Sequence, residues 1–175
     1  MKIIAFGGSN SQHSINKKLA TFAANQFENG DVEILDLNDF AMPLFSVDLE
    51  KEIKQEPKAI AFLEKISKAD ILVVSLAENN GNYSAAFKNV FDWTSRIEKD
   101  VFQHKPMLLL ATSPGPRGGA TVLEIARNAF PRYGGEIKAS FSLPSFNTNF
   151  DAEKGEISNA ELKTDLVNLI NSNFQ

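Results

Sequence analysis

The sequence contains no cysteine, and only two histidines and one tryptophan among its 175 residues. Without thiols there is no disulfide, no thiolate nucleophile, no redox-active cysteine pair, and no iron–sulfur or zinc site built on cysteine. His13 and His104 stand far apart in the chain, so no histidine metal site is expected either. Redox chemistry in such a protein has to run on a borrowed group. An excess of positive charge is also missing: the formal net charge is −4 and the sequence pI about 5.3. Lysines and arginines are scattered, which argues against a nucleic-acid partner. No apolar run approaches the roughly 18 residues of a membrane span, so no membrane partner is expected. The opening MKIIAFGGSNS has too few apolar residues before its glycines for a secretion signal, and the cytoplasm is the expected location.

What the chain does have is an ordinary globular balance, 43% hydrophobic and 23% charged, and a length that suits one domain over residues 1–175. Short apolar runs alternate with helical patterns. The runs are Lys2–Phe6, Val32–Leu37, Asp70–Leu76, Met107–Thr112 and Gly135–Leu143. Near-continuous Ile, Val and Leu is what a strand covered on both faces requires, while the more alternating second and fifth runs suit sheet edges. Between them, Ile15, Leu19, Phe22, Ala23 and Phe27 form a helical stripe, as do Ile60, Leu63 and Ile66, and Phe87, Val90, Phe91, Thr94 and Ile97. Val122, Ile125, Ala126, Ala129 and Phe130 form another, and Leu162, Leu166, Leu169 and Ile170 the last. Thr121 with Glu124, and Ser158 with Glu161, read as capping boxes. Strands alternating with helices predict an α/β fold, a parallel sheet with helices on both faces, in a Rossmann-like or a flavodoxin-like layout. Either layout places ligands at the carboxyl ends of the strands, so chemistry is sought in the loops after strands one, three and four.

The first loop, GGSNSQHSIN, is crowded with hydroxyls and amides. Ser14 reads as an N-cap, leaving the N–H groups of Ile15, Asn16 and Lys17 at a helix N-terminus able to bind an anion. Ser9, Ser11, Ser14 and Asn16 offer further hydrogen bonds to a phosphate. The loop fits neither G-x-G-x-x-G nor the ATPase phosphate loop. The second loop, AENNGNYS, offers the amides of Asn79 and Asn80 to a heterocycle and reads equally as an Asn-Gly turn. Glu78 is a possible acid or base without a neighbouring partner. Asp92 and Trp93 read as surface pairing and packing. The third loop, SPGPRGG, has little side-chain bulk, so a flat ligand can approach it, and Arg117 is its cation. The apolar stretch Phe40, Met42, Pro43, Leu44 and Phe45 covers either a ligand edge, a partner subunit or the protein's own core. Asp36, ending the second run, stands where a ribose-binding acid stands in dinucleotide folds, but the glycine spacing of those folds is missing.

Together the three loops resemble those of the NADPH-dependent FMN reductase family, which includes flavodoxin-like quinone, azo-dye and chromate reductases. Gly8-Ser9 through Ser14-Ile15-Asn16 to Leu19-Ala20 match the family's first motif. AENNGN followed by FKNVFDW matches its second, and Ser113, Gly115, Gly118 and Gly119 its third. The resemblance spans about residues 1–135. It implies a flavodoxin-like three-layer sandwich whose five-stranded parallel sheet has the order 2-1-3-4-5. It implies bound FMN, its phosphate held by Ser9, Ser11, Ser14, Ile15 and Asn16. The ring would lie between Glu78, Asn79, Asn80 and Gly81 on one side and Ser113, Pro114, Gly115, Gly118 and Gly119 on the other. It implies hydride transfer from NAD(P)H to FMN and onward to a quinone, free flavin or similar small acceptor, in a homodimer or homotetramer. Catalysis would belong to the flavin rather than to a side chain. Ser11 replaces the family's usual arginine, Ala77 its proline and Asn79 its aromatic residue. An electron carrier that takes no hydride, or a member that has lost its flavin, would share the same fold.

Overall fold

Strands apolar on both faces need cover on both faces, and the computed structural model, which describes residues 1–174, places it there. The sheet strands are β1 (Lys2–Gly8), β2 (Asp31–Leu35), β3 (Ile71–Leu76), β4 (Lys105–Thr112) and β5 (Gly135–Leu143). All are parallel, in the order β2-β1-β3-β4-β5. This is the flavodoxin-like order. The main helices are α1 (Ile15–Ala24), α2 (Val47–Ile53), α3 (Pro57–Ser67), α4 (Ala85–Ile97), α5 (Ala120–Ala129) and α6 (Ala160–Phe174).

Side-chain alternation along each strand divides the interior into two cores. Ile3 and Ala5, Ile71 and Val73, and Leu108 and Leu110 face α1 and α6, where Leu19, Ala23, Leu166 and Ile170 meet them. Ile4 and Phe6, Leu72, Val74 and Leu76, and Met107 and Leu109 face the opposite way, onto α3, α4 and α5. Here the filling is aromatic: Phe6 sits edge-on to Phe62 at 5.4 Å, and Phe102 lies 4.5 Å from Phe130.

The strand order reverses between β1 and β3, so their loops part and leave a crevice at the carboxyl edge of the sheet. That crevice depends on how closely α1 can begin behind β1. The backbone of Lys17 lies so near Gly7 that a Cβ there would come within 2.4 Å of the Lys17 nitrogen.

Several boundaries differ from the sequence expectation for local reasons. The second strand stops at Leu35, because the Asp36 carboxylate accepts the Asn38 N–H and opens a short 3-10 turn over Leu37–Phe40. The last helix is capped by Asn159, which accepts from the N–H groups of Glu161 and Leu162, and not by Ser158. Thr121 caps nothing: α5 begins at Ala120 behind Gly119, which provides no side-chain cap. α2 was not expected at all. It buries no residue, so it leaves no apolar stripe to read.

Gly7→Ala is expected to destabilise the fold by about 2 kcal/mol, because the added methyl meets helix backbone rather than a side chain that can swing away. Urea unfolding of the variant measures this; an unchanged midpoint would contradict the close approach.

Candidate functional site

The crevice is floored by one amide. The Asn16 side chain, only 2% exposed, donates to the Thr112 carbonyl at 3.1 Å and accepts from the Thr112 N–H at 3.0 Å. Its Oδ1 also accepts from the Ser75 hydroxyl at 2.7 Å. Asn16 thus pairs with Thr112 as an adjoining strand residue would, and ties the first turn of α1 to the ends of β3 and β4. The Thr112 hydroxyl continues the chain of bonds to the Leu143 carbonyl on β5. The Asn16 side chain, offered by the sequence as a phosphate donor, is thus engaged in this bridge.

Above this floor, the first loop folds on its own serines. Ser11 N–H donates to Ser9 Oγ, His13 N–H to Ser11 Oγ, and Ser14 N–H to the Ser11 carbonyl. Ser14 caps α1 by accepting from the Lys17 N–H at 3.1 Å, so that donor is spent. The N–H groups of Ile15 and Asn16 have no partner among the described residues. They stand at the positive end of the helix.

The second loop is a ribbon in which Glu78 and Asn79 pair with Tyr83 and Asn82. Asn80 and Gly81 make its turn with φ of 52° and 74°, the left-handed pair that a two-residue hairpin of this kind needs. Glu78 reaches across to the next crossover: its carboxylate accepts from the Val122 N–H at 3.0 Å and approaches the exposed Arg117 guanidinium at 3.9 Å. It supplies the α5 cap that Thr121 does not. The carboxylate sits at a helix N-terminus, where it is stabilising, and no hydrogen bond joins it to His13, the other titratable side chain lining the cleft. Tyr83 follows on the same ribbon and packs against Phe87 and Phe130. Its buried hydroxyl has no partner, and burial pushes the phenol up to about 12.

The third loop is braced from below, with Ser145 N–H on the Gly115 carbonyl and Phe146 N–H on that of Ser113. Gly118 and Gly119 are buried in that brace; a Cβ on Gly118 would meet Ser142 Oγ at 2.4 Å.

The three loops meet in one cleft of about 240 Å³. Of the residues singled out from sequence, Ser9, Ser11, Ser14, Ile15, Asn16, Glu78, Asn79, Ser113 and Pro114 line it. Asn80, Gly81, Gly115, Gly118 and Gly119 do not: the first two form the ribbon's turn, and the last two hold the loop's shape. Ala77, noted only as standing in place of a proline, also lines the cleft, as do His13 and Thr112, which the sequence does not mark as site residues. Asp36 is committed elsewhere. The Lys17 ammonium beside it, and then the Asn38 N–H, hold its carboxyl below the usual range. Asp92 pairs with Lys88 on the surface, and the Trp93 indole donates to the Pro43 carbonyl at 2.8 Å. Asn89 binds the same segment, accepting from Phe45 N–H and donating to the carbonyls of Met42 and Pro43. The 42–45 stretch is therefore pinned to α4, with Leu44 left 79% exposed.

Residues 1–148 match the sequence model of the NADPH-dependent FMN reductase family. The chain is 28% identical over 179 residues to an Arabidopsis thaliana NADPH:quinone oxidoreductase, covering 97% of this chain and 90% of that protein. It is 29% identical over 131 residues to subunit 2 of a Lactobacillus johnsonii NADH-dependent flavin reductase, covering 73% and 68%. Among solved structures, it resembles the NAD(P)H:acceptor oxidoreductase FerB of Paracoccus denitrificans, with a TM-score of 0.75, 21% identity, and coverage of 98% and 93%.

Asn16→Ala is expected to cost about 3 kcal/mol, since it strands both backbone groups of Thr112 and the Ser75 hydroxyl in a dry site; a loss below about 1 kcal/mol in denaturant unfolding would contradict the bridge. Tyr83→Phe is expected to leave stability unchanged or raise it by up to about 1 kcal/mol, because the deleted hydroxyl makes no bond. The raised phenol value also sets a direction with pH. The unfolded tyrosine ionises near 10 and the native one near 12, so this contribution is intact below about pH 10 and lost as pH rises toward 12. Alkaline unfolding of Tyr83→Phe should show that loss diminished, and an identical pH profile would refute the assignment.

Proposed function

The chain belongs to the NADPH-dependent FMN reductase family, and from that premise we propose that the cleft holds FMN and that a small oxidised compound, such as a quinone or free flavin, receives the electrons. As an enzyme of this family it is an oxidoreductase with FMN and NAD(P)H as its cofactors. When bound, the flavin supplies hydride acceptance and onward electron release. The observation that carries the reading is the convergence of loops from β1, β3 and β4 on one hydroxyl-rich cleft at the reversal of strand order.

The donor set fits the cofactor's two ends. Toward a phosphate, the chain offers the unpaired N–H groups of Ile15 and Asn16 with the hydroxyls of Ser9 and Ser11. Toward a ring, it offers the Asn79 amide and the wall made by Ser113 and Pro114, with Gly115 following just outside the lining. A Cβ on Gly115 would meet nothing nearer than Ser113 Oγ at 3.8 Å, so this wall is open to a planar ligand. Glu78 ties the second loop to the start of α5, and the Ser145 and Phe146 N–H groups hold the third. No lining side chain forms an acid–base pair, which suits a protein whose residues bind and orient while the cofactor reacts.

The acceptor class, a homodimeric or homotetrameric assembly and a cytoplasmic location are parts of this proposal. No helix among the described residues is long and apolar enough to cross a membrane.

A visible spectrum of purified protein titrated with FMN, then given NADPH under nitrogen, tests the reading. The expected result is a bound-flavin spectrum that bleaches with NADPH alone and recovers on adding a quinone. Protein that takes up no FMN would overturn it. Flavin that binds but does not bleach would indicate an electron carrier instead.

A further inference from the structure

The cleft has a charge problem. A phosphate monoester carries close to two negative charges near neutral pH, with a second pKa near 6. The lining holds neither lysine nor arginine, and position 11 is a serine. Apart from Glu78, no carboxylate, lysine or arginine lines the cleft. Glu78 is negative and engaged with Val122 N–H and Arg117, and that arginine does not line the cleft. Lys17 is paired with Asp36, and Lys17 and Lys18 border a separate cleft beside Thr21 and Gly155. One side chain in the lining can become cationic: His13.

His13 is placed for the task. It sits in the turn closed by Ser14 N–H on the Ser11 carbonyl, its own N–H donates to Ser11 Oγ at 3.3 Å, and it immediately precedes the cap of α1. Its side chain is exposed. We propose that His13 is the phosphate-recognising cation of this cleft, making cofactor affinity rise as the imidazole protonates. This rests on the FMN reading above. Imidazole changes charge between about pH 5 and 8. The doubly protonated ring therefore adds a charge-assisted bond to the helix-terminal N–H groups in mildly acidic solution and withdraws it in mildly alkaline solution.

The test compares FMN with riboflavin, which has the same ring and no phosphate. Dissociation constants are measured by flavin fluorescence quenching at about pH 6.5 and about pH 8.5. The proteins are the native chain, His13→Gln and His13→Lys. For the native chain, FMN should bind about three- to tenfold more tightly at the lower pH, while riboflavin binds equally at both. His13→Gln should lose that difference and bind FMN more weakly at the lower pH; because the ligand's own phosphate titration is common to all three proteins, it cancels. His13→Lys should bind FMN at both pH values as tightly as the native chain does at the lower one. If the native chain binds FMN but His13→Gln has the same affinities and pH dependence, the role of His13 is overturned and the FMN reading stands. If the native chain binds no FMN at either pH, both fall.

Discussion

The side chain of Asn16 holds the architecture together where it matters. It bonds both backbone groups of Thr112 and the hydroxyl of Ser75, and all three residues are essentially without solvent contact. A buried amide with its bonds made is stabilising and directional, and the same amide with its partners removed is a liability. Because Asn16 is also the second residue of α1, the bridge fixes where the free end of that helix points. The first loop can then be short and polar: its position is set from beneath by β3 and β4, and its shape by three serines bonding to their own neighbours.

The same economy runs through the other two loops. Glu78 reaches from the ribbon after β3 to the first turn of α5, so two crossovers that share no strand pairing are joined by a helix cap. The third loop rests on the segment after β5 through the bonds from Ser145 and Phe146. Groups that look reactive in a list of residues, Glu78 and Asp36 among them, are thus occupied in holding the scaffold. What faces the cleft is mostly hydroxyl, amide and backbone N–H. Such a surface suits binding and orienting, which accords with a family whose electron chemistry is carried by FMN.

The sheet was legible because burial on both faces forces continuous Ile, Val and Leu, and the loops were legible because they begin where those runs end. Seven of the candidate residues, Ser9, Ser11, Ser14, Ile15, Asn79, Ser113 and Pro114, line one cleft, the first five legible from loop position and the last two from the family resemblance. What escaped the sequence was long-range. Asn16 looks like one more polar residue in a polar loop until Thr112, 96 residues away, closes over it. The α5 cap was sought in Thr121, the local candidate, whereas it comes from 44 residues upstream. His13 carries no pattern in sequence; its meaning arises only when the cleft proves to have no other cation. At the last helix, Ser158 and Asn159 are both good caps, and only backbone geometry chooses between them.

The central claim is spatial: the end of α1, aimed by Asn16, is proposed to receive the phosphate of a flavin whose ring lies along Ser113 and Pro114. A crystal structure of the FMN complex tests it most directly. The account predicts phosphate oxygens within hydrogen-bond distance of the N–H groups of Ile15 and Asn16, with the Asn16–Thr112 bridge intact beneath them. A flavin bound elsewhere on the molecule, or one whose phosphate points away from the α1 terminus, would contradict it.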